Sequence, residues 1–331
     1  MSVTSTWTPQ RLVDYARTFP WTAPAIGVVG YSSEPAVSFT DDVVKKIMNK
    51  ANPWKWNQIQ AGPFYTQPYQ QDYPTSISQN SMGWLQYCTM IDINNASQLP
   101  PVQPPVNGVQ NLLPTSNCGY PSKICWIINS AAQTGVWPGP NVTYVNPLVS
   151  LGGGPGANPF TAITDTNGNI QVLTQYGTTG SSQPTWPAAG SSPGTITPDG
   201  SAAWTLQDPN GIAWRVDRLA TYNSNVWQLL PIYQQKPPNI LSLKQNIAPI
   251  PDDLNYLVKQ GFLAYCYKQV DNDKFKEEYA QWLEDIQEAL GASDREYQEF
   301  GISPQQSLVS GGPTIGGYGY PGWMGWSSDG Y

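Results

Sequence analysis

The chain has 331 residues, with 16 Lys+Arg against 23 Asp+Glu, no histidine, a formal net charge of -7 and only 12% of its residues charged. Without an imidazole, Ser-His-Asp and Cys-His catalysis and His-bearing zinc sites are excluded, and the shortage of Lys and Arg argues against an extensive grip on nucleic acid, which needs cations to displace phosphate counterions. The 14 Trp, 19 Tyr and 7 Phe beside 30 Gly and 32 Pro describe a turn-rich, β-heavy chain of one to three domains with large packing anchors.

The first segment, residues 1–57, reads as short helices in a loop-rich frame. Its start, MSVTSTWTPQRL, lacks the basic flank and apolar stretch of a signal peptide, and no run in the chain approaches 18 apolar residues, so a cytosolic origin and no membrane partner are expected. Thr40 followed by Asp41 and Asp42 predicts a helix start, with Lys45, Lys46 and Lys50 toward the far end. Val43, Val44, Ile47 and Met48 give that helix an apolar docking face, ending before Pro53.

From 58 to 138, short apolar and aromatic runs are broken by Pro, Gly, Asn and Ser, the pattern of antiparallel strands joined by turns. The best strand candidates are Phe64 to Thr66, Trp84 to Ile93 and Lys123 to Ile128, and the style resumes in Trp214 to Tyr222 and Val226 to Tyr233. These two stretches, 58–138 and 213–250, predict one antiparallel β domain. Residues 139–212 interrupt it with a GGGPG run, Ser/Gly/Pro-rich connectors and hairpin signals at Asn167-Gly168 and Asp199-Gly200. With strands over Ile170 to Thr174 and Ala202 to Leu206, that interval reads as an inserted small all-β domain.

Past Pro251 the period becomes helical. Leu254, Leu257, Val258, Phe262 and Tyr265 mark one amphipathic helix, and Phe275, Tyr279, Trp282, Leu283, Ile286 and Leu290 mark a second. A shorter third helix is expected from Ser293, where Glu296 completes a capping box. This hairpin, 251–300, holds 12 acidic residues against five basic ones, a net of -7 that equals the charge of the whole chain. The tail, 301–331, has no period. Its aromatics, Tyr318, Tyr320, Trp323, Trp326 and Tyr331, alternate with glycine, make no core by themselves, and are expected to pack on a neighbouring copy as an extended arm. The fold class is therefore α+β: an antiparallel sheet or sandwich domain with helical N- and C-terminal parts forming a helical bundle, plus the inserted β domain.

Little in the sequence points to catalysis. The pairs Asp41-Asp42, Asp252-Asp253, Glu277-Glu278 and Glu284-Asp285 could in principle serve acid/base hydrolysis, but each lies at a helix start or on a charged helix face, where capping and solvation account for it. Cys88, Cys118, Cys125 and Cys266 are too few and too scattered for a disulfide framework and read as free thiols with no metal site. No G-x-G-x-x-G stands at a strand-to-helix turn and no P-loop is present, so no nucleotide site is visible and no cofactor is expected. Two binding features remain. Glu277, Glu284 and Glu288 share one face of the second C-terminal helix, opposite Phe275, Trp282 and Ile286, which is either a solvated surface or a channel wall that repels a passing duplex. Trp186 and Trp204 are either sugar-stacking platforms or the core of the inserted domain.

NPWKWN at 52–57, FYT at 64–66, QQDY at 70–73 and GWLQYC at 83–88, in that order, resemble the first half of tailed-phage head-to-tail connector (adaptor) proteins. IPDDLNYLVKQGFLAY at 250–265 and the following KFKEEYAQWLEDIQEAL are similar to their C-terminal helical hairpin. GYPSKI at 119–124 fits the strand lead-in between them, although Tyr120 stands where that pattern has a basic residue. The likeness covers about residues 36–138 and 213–300 and leaves the insert and the tail outside. It implies a non-enzymatic virion structural protein of the neck, assembled in the host cytoplasm. The implied assembly is a homo-oligomeric ring, commonly of twelve copies, that docks on the portal protein, faces a downstream tail or nozzle protein, and lets DNA pass without sequence-specific binding. TWPAAGSSPGTITPDGSAAWT separately resembles small β modules of phage tail and fibre proteins, some of which bind glycans, which makes a glycan-binding tail component the alternative function.

Overall fold

The computed structural model describes residues 5–22, 25, 34–93, 95, 97–104, 119–146, 160–220 and 226–299. The fold is α+β, with several antiparallel sheets and a few helices. Two compact units divide the chain, one of Met1–Gln58 with Gln235–Tyr331 and one of Ile59–Gln234.

The first unit is helical. Helix α1 (Pro9–Ala16) starts on a cap supplied by Thr8, whose Oγ1 accepts the Arg11 amide, with proline at the first helical position. Helix α2 spans Ala36–Ile47, one turn earlier than its sequence suggests. Thr40 is not its cap. The Thr40 hydroxyl lies inside the helix and donates back to the Ala36 carbonyl at 2.8 Å, as Ser and Thr do when no free N-terminal amide is within reach. Asp41 instead pairs with Lys45 at 2.6 Å and accepts the Ile240 amide at 2.9 Å. The far end of α2 is closed by the NPWKWN segment. Asn52 donates to the Lys46 and Ile47 carbonyls, and the buried Trp54 indole also donates to Ile47 at 2.8 Å, covering carbonyls that a helix end leaves unpaired.

Helix α3 (Asn255–Val270) and helix α4 (Asn272–Glu299) follow one another across Asp271, whose carboxylate accepts the amides of Asp273 and Lys274 as an N-terminal cap. The third helix expected from Ser293 is the last part of α4. Gly291, in open space on that helix, costs only about 1 kcal/mol relative to alanine, too little to stop a helix already propagating. Leu12, Val43, Ile47, Trp54, Phe262, Trp282 and Ile286 share one buried cluster with Ile240, Ile247 and Ile250. Residues 235–250, expected in the β domain, therefore belong with the helices, because their three isoleucines are buried there.

The second unit carries three sheets. One has the order β1-β12-β4-β5, with β2 also pairing β12, where β1 is Gln58–Gln60, β2 Phe64–Tyr65, β4 Met82–Asp92, β5 Ser97–Val102 and β12 Trp227–Gln235. A second has the order β3-β11-β6, with β3 at Asp72–Ser78, β6 at Ile124–Ile128 and β11 at Gly211–Val216. These two sheets share one core, in which Leu85, Cys88 and Leu229 from the first meet Tyr73, Ile124, Ile212 and Trp214 from the second. The third sheet, β7-β8-β10-β9, is built from Ala162–Thr164, Ile170–Gln175, Ala202–Leu206 and Ile196–Asp199, and has its own cluster around Tyr144, Ile163, Leu173, Trp186 and Trp204. The Trp214 to Tyr222 strand is shorter than expected and shifted, ending at Val216, since the next residue, Asp217, turns its carboxylate onto the Ser122 and Lys123 amides.

Candidate functional site

The acidic face of α4 is the site the sequence singles out most clearly. Trp282, Ile286 and Ala289 point into the helical core, and the Trp282 indole donates to the Leu257 carbonyl of α3 at 2.8 Å. Gly261 on α3 allows that approach, because a Cβ there would lie 2.5 Å from the Trp282 ring. With that face inward, Glu277, Glu284 and Glu288 are all exposed, half a turn or so around the helix from Trp282. Asp285, beside them, is held by the side-chain amides of Gln260 and Gln281. Negative charge also collects at the start of α3. The Tyr256 phenol is raised first by partial burial and then by Asp285, Glu288 and Asp253. The nearby cations are engaged elsewhere: Lys276 pairs with Asp273 at 3.0 Å, and Lys274 lies 5.0 Å above the Tyr267 ring.

The two tryptophans of the third sheet lie inside it. Trp204 is 0% exposed and Trp186 6%, and they pack edge to face at 6.3 Å, with Tyr144 on the other side of Trp204. Neither offers a ring face to a sugar. The reason is energetic: a four-stranded sheet this small has few other large side chains with which to fill a core. Asp199 anchors Trp204 together with Trp137. Its Oδ2 accepts the indole N–H of Trp204 at 3.1 Å and of Trp137 at 2.9 Å, while Oδ1 accepts the Gly180 amide at 2.7 Å. The other hairpin signal is likewise an internal tie: Asp165 accepts the amides of Asn167 and Asn169 and the side chains of Asn169 and Gln171.

QQDY is also a structural motif. Gln70 donates to the Asp72 carbonyl and accepts from Thr161, and Gln71 donates to the Val216 carbonyl. Asp72, fully buried, pairs bidentately with Arg215 at 2.7 Å and accepts the Gln133 amide at 2.6 Å. The Tyr73 hydroxyl accepts the Gln67 amide and donates to the Gln70 carbonyl, and burial holds it well above the usual phenol range.

The remaining candidates have plain placements. Burial pushes the Cys125 thiol up to about 11 and Cys266 to about 12, and raises Cys88 further, so all three stay protonated at neutral pH. Cys118 and the tail residues Tyr318, Tyr320, Trp323, Trp326 and Tyr331 lie outside the described residues. Among the described residues no group of three carboxylates or thiols converges as a metal site, and no helix is long and apolar enough to cross a membrane. One contact went unforeseen: Tyr120, about half exposed, carries the Arg218 guanidinium over its ring at 5.8 Å. No family model, no curated protein and no solved structure matches this chain.

Proposed function

We propose that this chain is a structural protein of a phage virion, a head-to-tail connector that assembles as a ring beneath the portal and around the DNA exit channel, with twelve copies as is common in the connectors it resembles. The observation that carries the reading is the α3-α4 pair, with one face sealed by Trp282 and the other presenting Glu277, Glu284 and Glu288 to solvent. Repeated around an axis, that face makes a negative wall along which a duplex slides without adhering. Cyclic closure also suits a chain that must make the same heterologous contact with each neighbour. In this reading the N- and C-terminal helices form a bundle that docks on the portal protein, the β part faces the downstream tail or nozzle protein, and the third sheet is an insertion on the outside of the ring. The protein works in the neck of the virion after assembly in the host cytoplasm, and needs no enzymatic activity or cofactor. The glycan-binding alternative through Trp186 and Trp204 loses its basis, since both rings are buried.

The test mixes the purified chain with the portal protein of its own virus and follows light scattering and negative-stain micrographs. Rings on the portal are expected. A mixture that stays monomeric at micromolar concentration overturns the reading.

A further inference from the structure

The loop that leads from β12 to α3 displays a leucine from a fixed frame. Leu241 is 79% exposed, although its neighbour Ile240 is buried in the helical core. The Gln245 side chain clasps the turn: its Oε1 accepts the Leu241 amide at 2.8 Å, and its Nε2 donates to the Asn239 carbonyl at 2.7 Å. Two further ties fix the loop to the helices. The Ile240 amide donates to Asp41 of α2 at 2.9 Å, and the Leu243 carbonyl accepts the Gln10 amide of α1 at 3.0 Å. A single exposed leucine is ordinary on a protein surface. One held out by bonds on both sides has already lost the loop freedom that binding would otherwise cost. Lys244 lies in the same turn, exposed and without an ion pair among the described residues, and the only other charge between Gln235 and Pro251 is Lys236. The loop is an apolar knob that carries positive charge.

The start of α3 offers the complement. Tyr256 is 50% exposed in the first turn of that helix. Gln260, one turn further along the same face, donates to Asp285 of α4, and the exposed Asp253 lies three residues before Tyr256. The phenol is therefore bordered by carboxylates, which add to burial in raising it. Among the described residues neither Asp253 nor Asp285 has an ion-pair partner. Lys259, the basic residue of this part of α3, is seated instead 4.4 Å over the Trp7 ring and 5.4 Å over Tyr15. The face is an apolar ring that carries negative charge. Knob and face belong to one compact unit, yet both stay exposed, so they do not satisfy each other within a chain.

We propose that the loop of Leu241 and Lys244 in one copy docks on the Tyr256 face of a second copy, with Leu241 against the phenol and Lys244 beside Asp253 and Asp285. Each patch complements the other in apolarity and in charge, and charge complementarity fixes partner and register. Two different patches on every copy make a heterologous contact, which repeats from copy to copy until the assembly closes. This inference rests on the ring reading, to which it adds the place where neighbours meet, and it leaves Glu277 and Glu284 to the channel wall.

The experiment places a photo-crosslinking phenylalanine analogue at position 241 of the full chain, irradiates a mixture of isotopically light and heavy protein, and maps the products by mass spectrometry. Cross-links between light and heavy chains to peptides containing 253–260 are expected, and Lys244→Glu should lower their yield at least tenfold. Restoration is the sharper measurement. Mixed with a chain carrying Asp253→Lys and Asp285→Lys, the Lys244→Glu chain should regain its cross-links, now to the 253–260 peptide of that partner. Should the partner chain not fold, Tyr256→Ala takes its place and should cut the original yield as Lys244→Glu does. Cross-links confined to one copy, cross-links that map elsewhere, none at all, a yield indifferent to Lys244→Glu, or a folded partner that restores nothing overturn the proposal. Leu241→Ala is expected to leave the thermal midpoint unchanged; a lowered midpoint overturns it as well, since the leucine would then serve the fold. Portal-bound rings without these cross-links leave the connector reading standing while the docking site falls, and the cross-links without portal-bound rings do the reverse.

Discussion

At Asp199 a single buried carboxylate satisfies two indole N–H groups and a backbone amide. Asp199→Ala takes the acceptor from one buried donor, the Trp204 indole, worth about 1–3 kcal/mol, and from two partly buried ones, the Trp137 indole and the Gly180 amide, so urea titration should show a loss of about 2–3 kcal/mol centred on the third sheet. Asp199→Asn keeps an acceptor oxygen and is expected to lose less. Gly261 makes a second local prediction. Gly261→Ala gains about 1 kcal/mol in helix propensity, but its Cβ meets the Trp282 ring, and overpacking of that kind costs about 1–3 kcal/mol. A thermal midpoint below that of the wild type is expected, with recovery when Trp282 is also replaced by phenylalanine. Both residues show how far the sequence is legible. The Asp-Gly pair marks the 199–200 turn and Trp204 reads equally as platform or core, but only contact with Tyr144, Trp137 and Asp199 decides for core.

At the scale of elements, helix α4 carries a chemical division along its length: aromatic toward α3, carboxylate toward solvent. If the outward face lines the channel, replacing Glu277, Glu284 and Glu288 together by lysine leaves the helix formed and the portal complex assembled, while DNA release from assembled particles slows, since cations bind phosphate. Release at the wild-type rate would remove those residues from the channel wall. Helix α3 has its own dependence on pH. Burial raises the Cys266 thiol from 9.0 to about 12, so the folded state holds this proton more tightly than the unfolded one. The resulting stabilisation is complete below pH 9 and declines as pH rises toward 12. Thermal melts between pH 8 and 11 should show a falling midpoint whose slope is reduced in Cys266→Ala.

For the whole molecule, the two units separate the kinds of information that the chain carries. The helical unit draws together residues from the first 58 and the last hundred positions, so ends that are far apart in sequence make one core through Leu12, Ile47, Ile250 and Trp282. The β unit lies wholly between them. Within it, strands β3 and β11, 143 residues apart at the Asp72-Arg215 pair, are joined by a bidentate ion pair whose carboxylate is fully buried while its guanidinium stays partly exposed. Removing one partner strands a buried charge, at about 3–5 kcal/mol, so Arg215→Met should unfold the β unit at lower denaturant than the helical unit, a separation that tryptophan fluorescence and far-UV circular dichroism report independently.

Composition, period and turn chemistry were enough to determine the mixed α+β class, the acidic outward face of α4, both Asn-Gly and Asp-Gly hairpins, and the positions of about half the strands, because these depend on residues close in the chain. The start of α2, the seating of 235–250, the burial of Trp186 and Trp204 and the left-handed backbone of Tyr69 were decided by tertiary structure alone. Each depends on a partner remote in sequence: Ile240 meets Asp41 across 199 positions, and Ala220 holds Tyr69 across 151. A local propensity of a few tenths of a kcal/mol gives way to one buried hydrogen bond or one filled core, and no window of neighbouring residues contains that contact.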